Sequence, residues 1–172
     1  MSASPAIRAA RPDDLDAIRA IYAVEVVAGT ASFEIEPPDL AEITRRYGAI
    51  RERGLPYLVA TAGGQVVGYA YAGPYRPRAA YRYSVENSVY VARDVRRAGI
   101  GRLLLATLID RAGAAGMRQM VAIIGDSAHL ASIRLHERAG FRLVGTLTDI
   151  GFKHGRWLDT VIMQRALAKE RA

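Results

Sequence analysis

The stretch SVENSVYVARDVRRAGIGRLLLATLID constrains this chain most, because an alternating strand pattern gives way through a glycine-rich turn to a helical one. Tyr83, Val85, Asn87, Val89 and Val91 share one face of the expected strand, and Ser84, Glu86, Ser88 and Tyr90 share the other. Ile100, Leu103, Leu104, Thr107 and Leu108 then recur as one stripe of a helix. Glycines at 99 and 101 let backbone approach a ligand, and the N–H groups and positive end of the helix favour an anion there. A turn of this kind binds phosphate or merely connects strand to helix.

Two nucleotide templates fail at this turn. A P-loop needs Lys-Ser/Thr after its last glycine, where Arg102-Leu103 stand. A dinucleotide fingerprint needs a third small residue where Leu104 stands.

The rest of the chain alternates strands and helices. Residues 7–9 suggest a short strand, and RPDDLDAIRAIYAVEVVAG a helix ending at Gly29. Leu40, Ile43, Tyr47 and Ile50 mark a second helix, beginning near Pro38-Asp39 and stopping at Gly54. YLVATAGGQVVGYAY reads as a hairpin about Gly63-Gly64, and AGPYRPRAA as an irregular loop. QMVAIIG is a buried type of strand, LASIRLHERAG a helix, and FRLVGTLTD and WLDTVIMQRAL two last strands around a GFKHGR turn. This order predicts an α/β (α+β) domain with parallel pairing through crossovers and antiparallel hairpins around it.

Composition narrows the chemistry. With 51% hydrophobic and 24% charged residues among 172, the chain has the makeup of one folded domain spanning 1–172. No cysteine is present, which excludes disulfides, thiolate metal ligands and a Cys-acyl intermediate. The first residues carry no apolar signal-like core and no stretch approaches a membrane span, so a cytoplasmic location and no membrane partner are expected. A net charge of +7, almost all arginine, fits either nucleic acid or a small anionic ligand.

Three other features carry chemistry. Glu86 is a carboxylate within a strand, disfavoured unless paired or used, with Arg78 and Arg82 as possible partners. Six of nine tyrosines fall between Tyr69 and Tyr90, interleaved with Arg76, Arg78 and Arg82, a pattern suited to stacking bases or to lining a small-molecule pocket with a carboxylate grip. VAIIGDSAHL, with Asp149 and His154 later, approaches a serine-hydrolase elbow, but His129 replaces its second small residue; Ser127 otherwise caps a helix.

Arg96-x-x-Gly99-x-Gly101 after the acid-bearing strand resembles the acyl-coenzyme A motif of the GNAT superfamily of N-acyltransferases. SVENSVYV, SIRLHERAGF and GFKHGRWLDTVIMQ resemble more closely its phosphinothricin and methionine sulfone/sulfoximine acetyltransferase subfamily, and the likeness spans nearly the whole chain. The resemblance implies the GNAT fold: a mixed, mostly antiparallel twisted sheet, a splayed central parallel pair, and helices on both faces. It implies acetyl-CoA as cosubstrate, no metal, no nucleic-acid partner, and a homodimer with the last strands near its interface. The implied reaction is acetylation of the α-amino group of a small amino acid by direct attack in a ternary complex.

Carried onto this sequence, the coenzyme would lie on Arg96, Arg97, Ala98, Gly99, Ile100 and Gly101, with Ser88, Val89 and Tyr90 contributing backbone. Glu86 would be the general base. His136 stands where many GNAT enzymes carry a proton-donating tyrosine, and would donate that proton or simply line the channel. His129 replaces a customary asparagine that hydrogen bonds the coenzyme. Phe33, Tyr75, Arg76, Pro77, Val85, Glu86 and Asn87 would line the amino-acid site, with Lys153 a further candidate. The other readings are acetylation of protein N-termini or polyamines, and a basic nucleic-acid-binding domain.

Overall fold

A computed structural model describes residues 5–96 and 98–167. Its centre is a seven-stranded sheet in the order β1-β2-β3-β4-β5-β7-β6. The strands are β1 (Ala6–Ala9), β2 (Tyr57–Ala62), β3 (Gln65–Pro74), β4 (Ser84–Val91), β5 (Gln119–Gly125), β6 (Arg142–Lys153) and β7 (Arg156–Ala166). The helices are α1 (Leu15–Ala28), α2 (Leu40–Glu52), α3 (Ile100–Ala114) and α4 (Leu130–Arg138). Among the described residues only β4 and β5 pair parallel, and every other neighbouring pair is antiparallel.

Local chemistry sets the ends of these elements. Pro12–Asp14 form a single 3-10 turn before α1, where Asp14 takes a bidentate bond from Arg8 at 2.7 Å on each oxygen and a third from the Arg11 backbone at 2.7 Å. Asp39 caps α2 by accepting from the Glu42 N–H at 2.8 Å. Gly63 and Gly64 join β2 to β3 with φ of 56° and 81°, as a two-residue hairpin requires.

Alternation along β3 and β4 sorts side chains onto two faces. Tyr57, Tyr69, Tyr71 and Tyr90 stack on the α1–α2 face, where Tyr22 and Tyr47 meet them edge-on. Ala70, Ala72, Val85 and Met120 alternate with them and are buried, α3 packing against β2, β3 and β4 on that opposite face. Tyr57 and Tyr69 are buried and Tyr71 and Tyr90 pack against the core, which leaves half-buried Tyr75 and exposed Tyr81 and Tyr83 as the remaining members of the tyrosine–arginine stretch.

Three details depart from the sequence reading. The buried stripe of α3 is Ile100, Leu104, Leu105, Leu108, Ile109 and Ala112; Leu103 is exposed and Thr107 only partly covered. The stripe is wider than the expected one and turned about one residue along the helix. β6 runs on through Gly151 and Phe152 to Lys153, so the last turn is His154-Gly155 alone rather than the whole GFKHGR segment. β3 likewise continues to Pro74, and the following loop contains a 3-10 turn at Ala79–Tyr81. No helix among the described residues is long and apolar enough to cross a membrane.

Candidate active site

The site begins as a seam in the sheet. β4 and β5 are paired from Ser84↔Gln119 to Asn87↔Ala122, after which β4 follows β3 to Val91 and β5 follows β7 to Gly125. The gap past Asn87 is lined by Ser88, Val89, Tyr90, Ile123, Ile124 and Gly125, with His129, Ser132 and His136 at its α4 side, and its narrow part encloses about 50 Å³. Backbone groups freed from the parallel ladder there need other partners. Outside it, between α3 and α4, a cleft of about 1680 Å³ runs past Val89–Val91 to the glycine turn and to Arg134 and Arg138.

The glycine turn forms one end of that cleft. Gly99 takes the left-handed conformation, φ 78°, immediately before α3, and a side chain there would meet no protein atom within 4 Å. Glycine is required by backbone conformation at that point, and the space beside it is open to a ligand. Gly101 and Arg102 line the same cleft.

Arg96 is tied into the fold: its Nη2 donates to Glu25 Oε1 at 2.6 Å, and Arg93 Nε donates to the same oxygen at 3.0 Å. The buried Glu25 thus ties the turn to α1. Ala98 and Ile100 lie within the turn and first helical turn, while Arg97 lies outside the described residues.

Glu86 is half-buried on the α1–α2 face, level with Gly73 of β3. Burial raises its pKa above the usual carboxylate value, and Arg76 pulls the other way. Arg76 lies over the Tyr75 ring, 5.2 Å from its centroid, and Tyr75 meets Tyr81 edge-on. No ion pair joins Glu86 to Arg78 or Arg82 among the described residues.

Val85 and Asn87 occupy the opposite face, 1% and 6% exposed, so their side chains point away from Glu86's surroundings. The Asn87 amide nitrogen donates to the Val121 carbonyl at 3.3 Å, and its oxygen lies 3.0 Å from His136 Nε2. His136 Nδ1 donates to the Ser132 carbonyl at 2.8 Å, and the ring meets Phe141 edge-on. Burial pushes the His136 imidazole below the ordinary value, with the Ser132 bond opposing. His129 borders the same gap, and its Nδ1 is buried with no partner among the described residues.

Phe33 is brought in by the loop after α1. Its ring fills the space where a side chain at Gly125 or Gly151 would stand. Buried Lys153 donates to the Ser32 carbonyl at 2.6 Å, Tyr22 joins Ser32 and Glu34 at 2.7 Å each, and His154 Nε2 meets the Gly29 carbonyl at 3.2 Å. Lys153 therefore anchors the wall that carries Phe33, and Pro77 stays on the exposed loop beyond Tyr75. Ser32 was not singled out from sequence, and Gly125 and Gly151 entered only as parts of the hydrolase-like elbow and of the GFKHGR turn, not as residues shaping this wall.

The hydrolase constellation does not assemble. Ser127 Oγ donates to Asp159 Oδ2 at 2.5 Å, while His154 is engaged at Gly29 and Asp149 touches Asp159 through its backbone N–H at 3.0 Å.

A sheet split at one parallel pair, a glycine turn opening a helix and a cleft leading to the split match the architecture that the GNAT resemblance implies for an acyl-coenzyme A-dependent acyltransferase. Consistent with this, residues 7–162 match the Acetyltransferase (GNAT) domain family, and the chain belongs to it. It is 53% identical to a phosphinothricin N-acetyltransferase of Alcaligenes faecalis, over 94% of this chain and 82% of that one. It is 46% identical to an L-methionine sulfoximine/L-methionine sulfone acetyltransferase of Pseudomonas paraeruginosa, over 100% and 99%. The crystal structure of a GNAT superfamily phosphinothricin acetyltransferase from Sinorhizobium meliloti in complex with acetyl-CoA superposes with a TM-score of 0.92 at 47% identity, covering 94% of this chain and 88% of that one.

The chain is thus an N-acyltransferase with acetyl-CoA as cosubstrate. Its residues fit that molecule: the cleft is long, the turn beside Gly99 is open, and an unpaired buried nitrogen waits at the seam.

Proposed function

We propose that this protein acetylates the α-amino group of a small amino acid or analogue, of the phosphinothricin, methionine sulfone and methionine sulfoximine type, by direct attack in a ternary complex. The observation that carries the reading is Glu86, a half-buried carboxylate beside the seam that leads from the coenzyme cleft, with no side chain opposite it on Gly73. The named relatives support the substrate class.

In this reading Glu86 takes a proton from the substrate ammonium, directly or through water, and frees the amine. Arg76, beside Tyr75, grips the substrate carboxylate, and Phe33 with the backbone of Val85 and Asn87 shapes the pocket. Acetyl-CoA supplies the acetyl thioester. The backbone of Ser88–Tyr90 holds its arm and polarises the thioester oxygen, while the turn from Arg96 to Gly101 holds its pyrophosphate.

We infer one catalytic domain over 1–172, working in the cytoplasm, where acetyl-CoA is at hand, as a homodimer. Support for the dimer comes from the edge strand β6 and its neighbour β7, which expose Leu143, Val144, Leu147, Ile150, Phe152 and Trp157.

The test is thiol release from acetyl-CoA with a panel of free amino acids, short peptides and polyamines. Release with phosphinothricin, methionine sulfone or methionine sulfoximine is expected. Release only with peptides or polyamines would overturn the substrate class.

A further inference from the structure

A carboxylate lines the cleft that leads to the glycine turn. Glu25, in the last turn of α1, is 5% exposed and borders the cleft together with Arg96, Gly99 and Gly101. By charge alone an acid there repels a pyrophosphate. Its contacts give it a different task.

Oε1 of Glu25 accepts from Arg96 Nη2 at 2.6 Å and from Arg93 Nε at 3.0 Å. Arg93 opens the short 3-10 turn Arg93–Val95 that follows β4, so one oxygen gathers both ends of the segment leading into the glycine turn. Arg96 Nε also donates to the Val91 carbonyl at 3.3 Å. Nε and Nη2 form one edge of the planar guanidinium, and the fold engages that edge. The end edge, made by Nη1 and the second Nη2 hydrogen, has no partner among the described residues, and the side chain is 45% exposed beside the cleft. Two parallel N–H groups on such an edge fit a phosphate in bidentate fashion. Two guanidinium groups on one carboxylate keep a net positive charge, so the cluster still attracts an anion.

Gly29 gives the acid its room. Its φ of −124° suits any residue, yet a Cβ there would stand 2.7 Å from Glu25 Oε2 and 2.9 Å from the Glu25 carbonyl oxygen. Resting on the acetyl-transfer reading, we propose that Glu25 is a positioning residue for the coenzyme. It fixes Arg96 so that the free end edge of the guanidinium meets the pyrophosphate, and Arg93 locks the carboxylate in turn. A long side chain is thereby ordered before the phosphate arrives, which removes an ordering cost from binding.

The experiment measures coenzyme A binding by calorimetry, and turnover with acetyl-CoA and with S-acetylpantetheine, a donor without the pyrophosphate. The proteins are the unaltered enzyme, Glu25→Met, Arg96→Gln and the double variant. Methionine has a similar length, and both guanidinium groups are 45% exposed, so in Glu25→Met they turn to solvent rather than stay buried unpaired. Glu25→Met is expected to weaken coenzyme A and raise KM for acetyl-CoA by about tenfold, with kcat unchanged. Its kcat/KM for S-acetylpantetheine stays level, and in the Arg96→Gln background the substitution has no further effect. Arg93→Gln, a surface change that leaves the core untouched, is a second route: coenzyme A weakens by about threefold, again only where Arg96 is present.

Tighter coenzyme A binding in Glu25→Met, the outcome that repulsion alone dictates, overturns the proposal. So does an equal loss in the Arg96→Gln background, or a parallel loss with S-acetylpantetheine, since either marks a general disturbance of the turn. Absence of coenzyme A binding by the unaltered protein would instead remove the acetyl-transfer reading itself.

Discussion

Gly73 stands directly across from Glu86 in the β3–β4 ladder, and a methyl group built on it would meet only the Tyr71 ring, at 3.9 Å. The position across the ladder from the carboxylate therefore carries no side chain. Gly73→Ala is expected to fold normally, and Gly73→Leu to fill the room the substrate needs. KM for the amino acid should rise by about tenfold or more in Gly73→Leu, with acetyl-CoA affinity unchanged. Steady-state kinetics alongside calorimetry separates the two, and a parallel loss of coenzyme binding would reject this placement of the substrate.

Glu86 acts as a base only when deprotonated, and burial raises its pKa. Activity should accordingly rise with pH through a midpoint above the ordinary glutamate value and be lost below it. Because Arg76 opposes the effect of burial, Arg76→Gln should move that midpoint higher still. Glu86→Gln should lower kcat by roughly 100- to 10,000-fold and erase the limb. A pH profile of kcat/KM for the three proteins decides the matter.

The Phe33 ring lies where any side chain on Gly151 would have to stand. Gly151→Ala should displace the ring and the loop that Lys153 and His154 anchor, at a cost of about 1–3 kcal/mol. Thermal unfolding and KM for the amino acid should both change. A variant with unaltered KM would show that Phe33 is no part of the substrate wall.

Asp14 provides a stability test far from the chemistry. Its hydrogen bonds from Arg8 and the Arg11 backbone hold its carboxyl below the usual aspartate value, against the effect of burial. A lowered folded pKa contributes stability in full above the unfolded value and loses it as pH falls through the folded one. Asp14→Asn should cost about 1–3 kcal/mol near neutrality and almost nothing in strong acid. Urea unfolding at both extremes measures the difference, and an equal cost at both would refute the ion-pair account.

Glu86 and the Gly99 turn were legible in the sequence because each is a local anomaly: an acid within an alternating strand, and glycines at the mouth of a helix. The sequence suggests a shorter β6 because Gly151 and the polar residues after it resemble a turn, and only its register with β7 keeps them extended. The engagement of Arg96 by Glu25 joins residues 71 apart, and that of His136 by Asn87 residues 49 apart. Local periodicity carries no information on such pairs. They alter the chemistry more than the fold, removing one arginine from the free cations of the turn and one histidine from the available donors.

The seam has one further consequence. β1 to β4 with α1 to α3 precede Ala115–Arg118, and β5 to β7 with α4 follow them, while among the described residues four residue pairs form the only ladder between the two groups of strands. The backbone passes from one half to the other a single time along the sheet. A cut beside Gly116 would leave two fragments whose reassociation rebuilds the gap, making the enzyme a candidate for two-piece complementation in which catalysis reports that the halves have met.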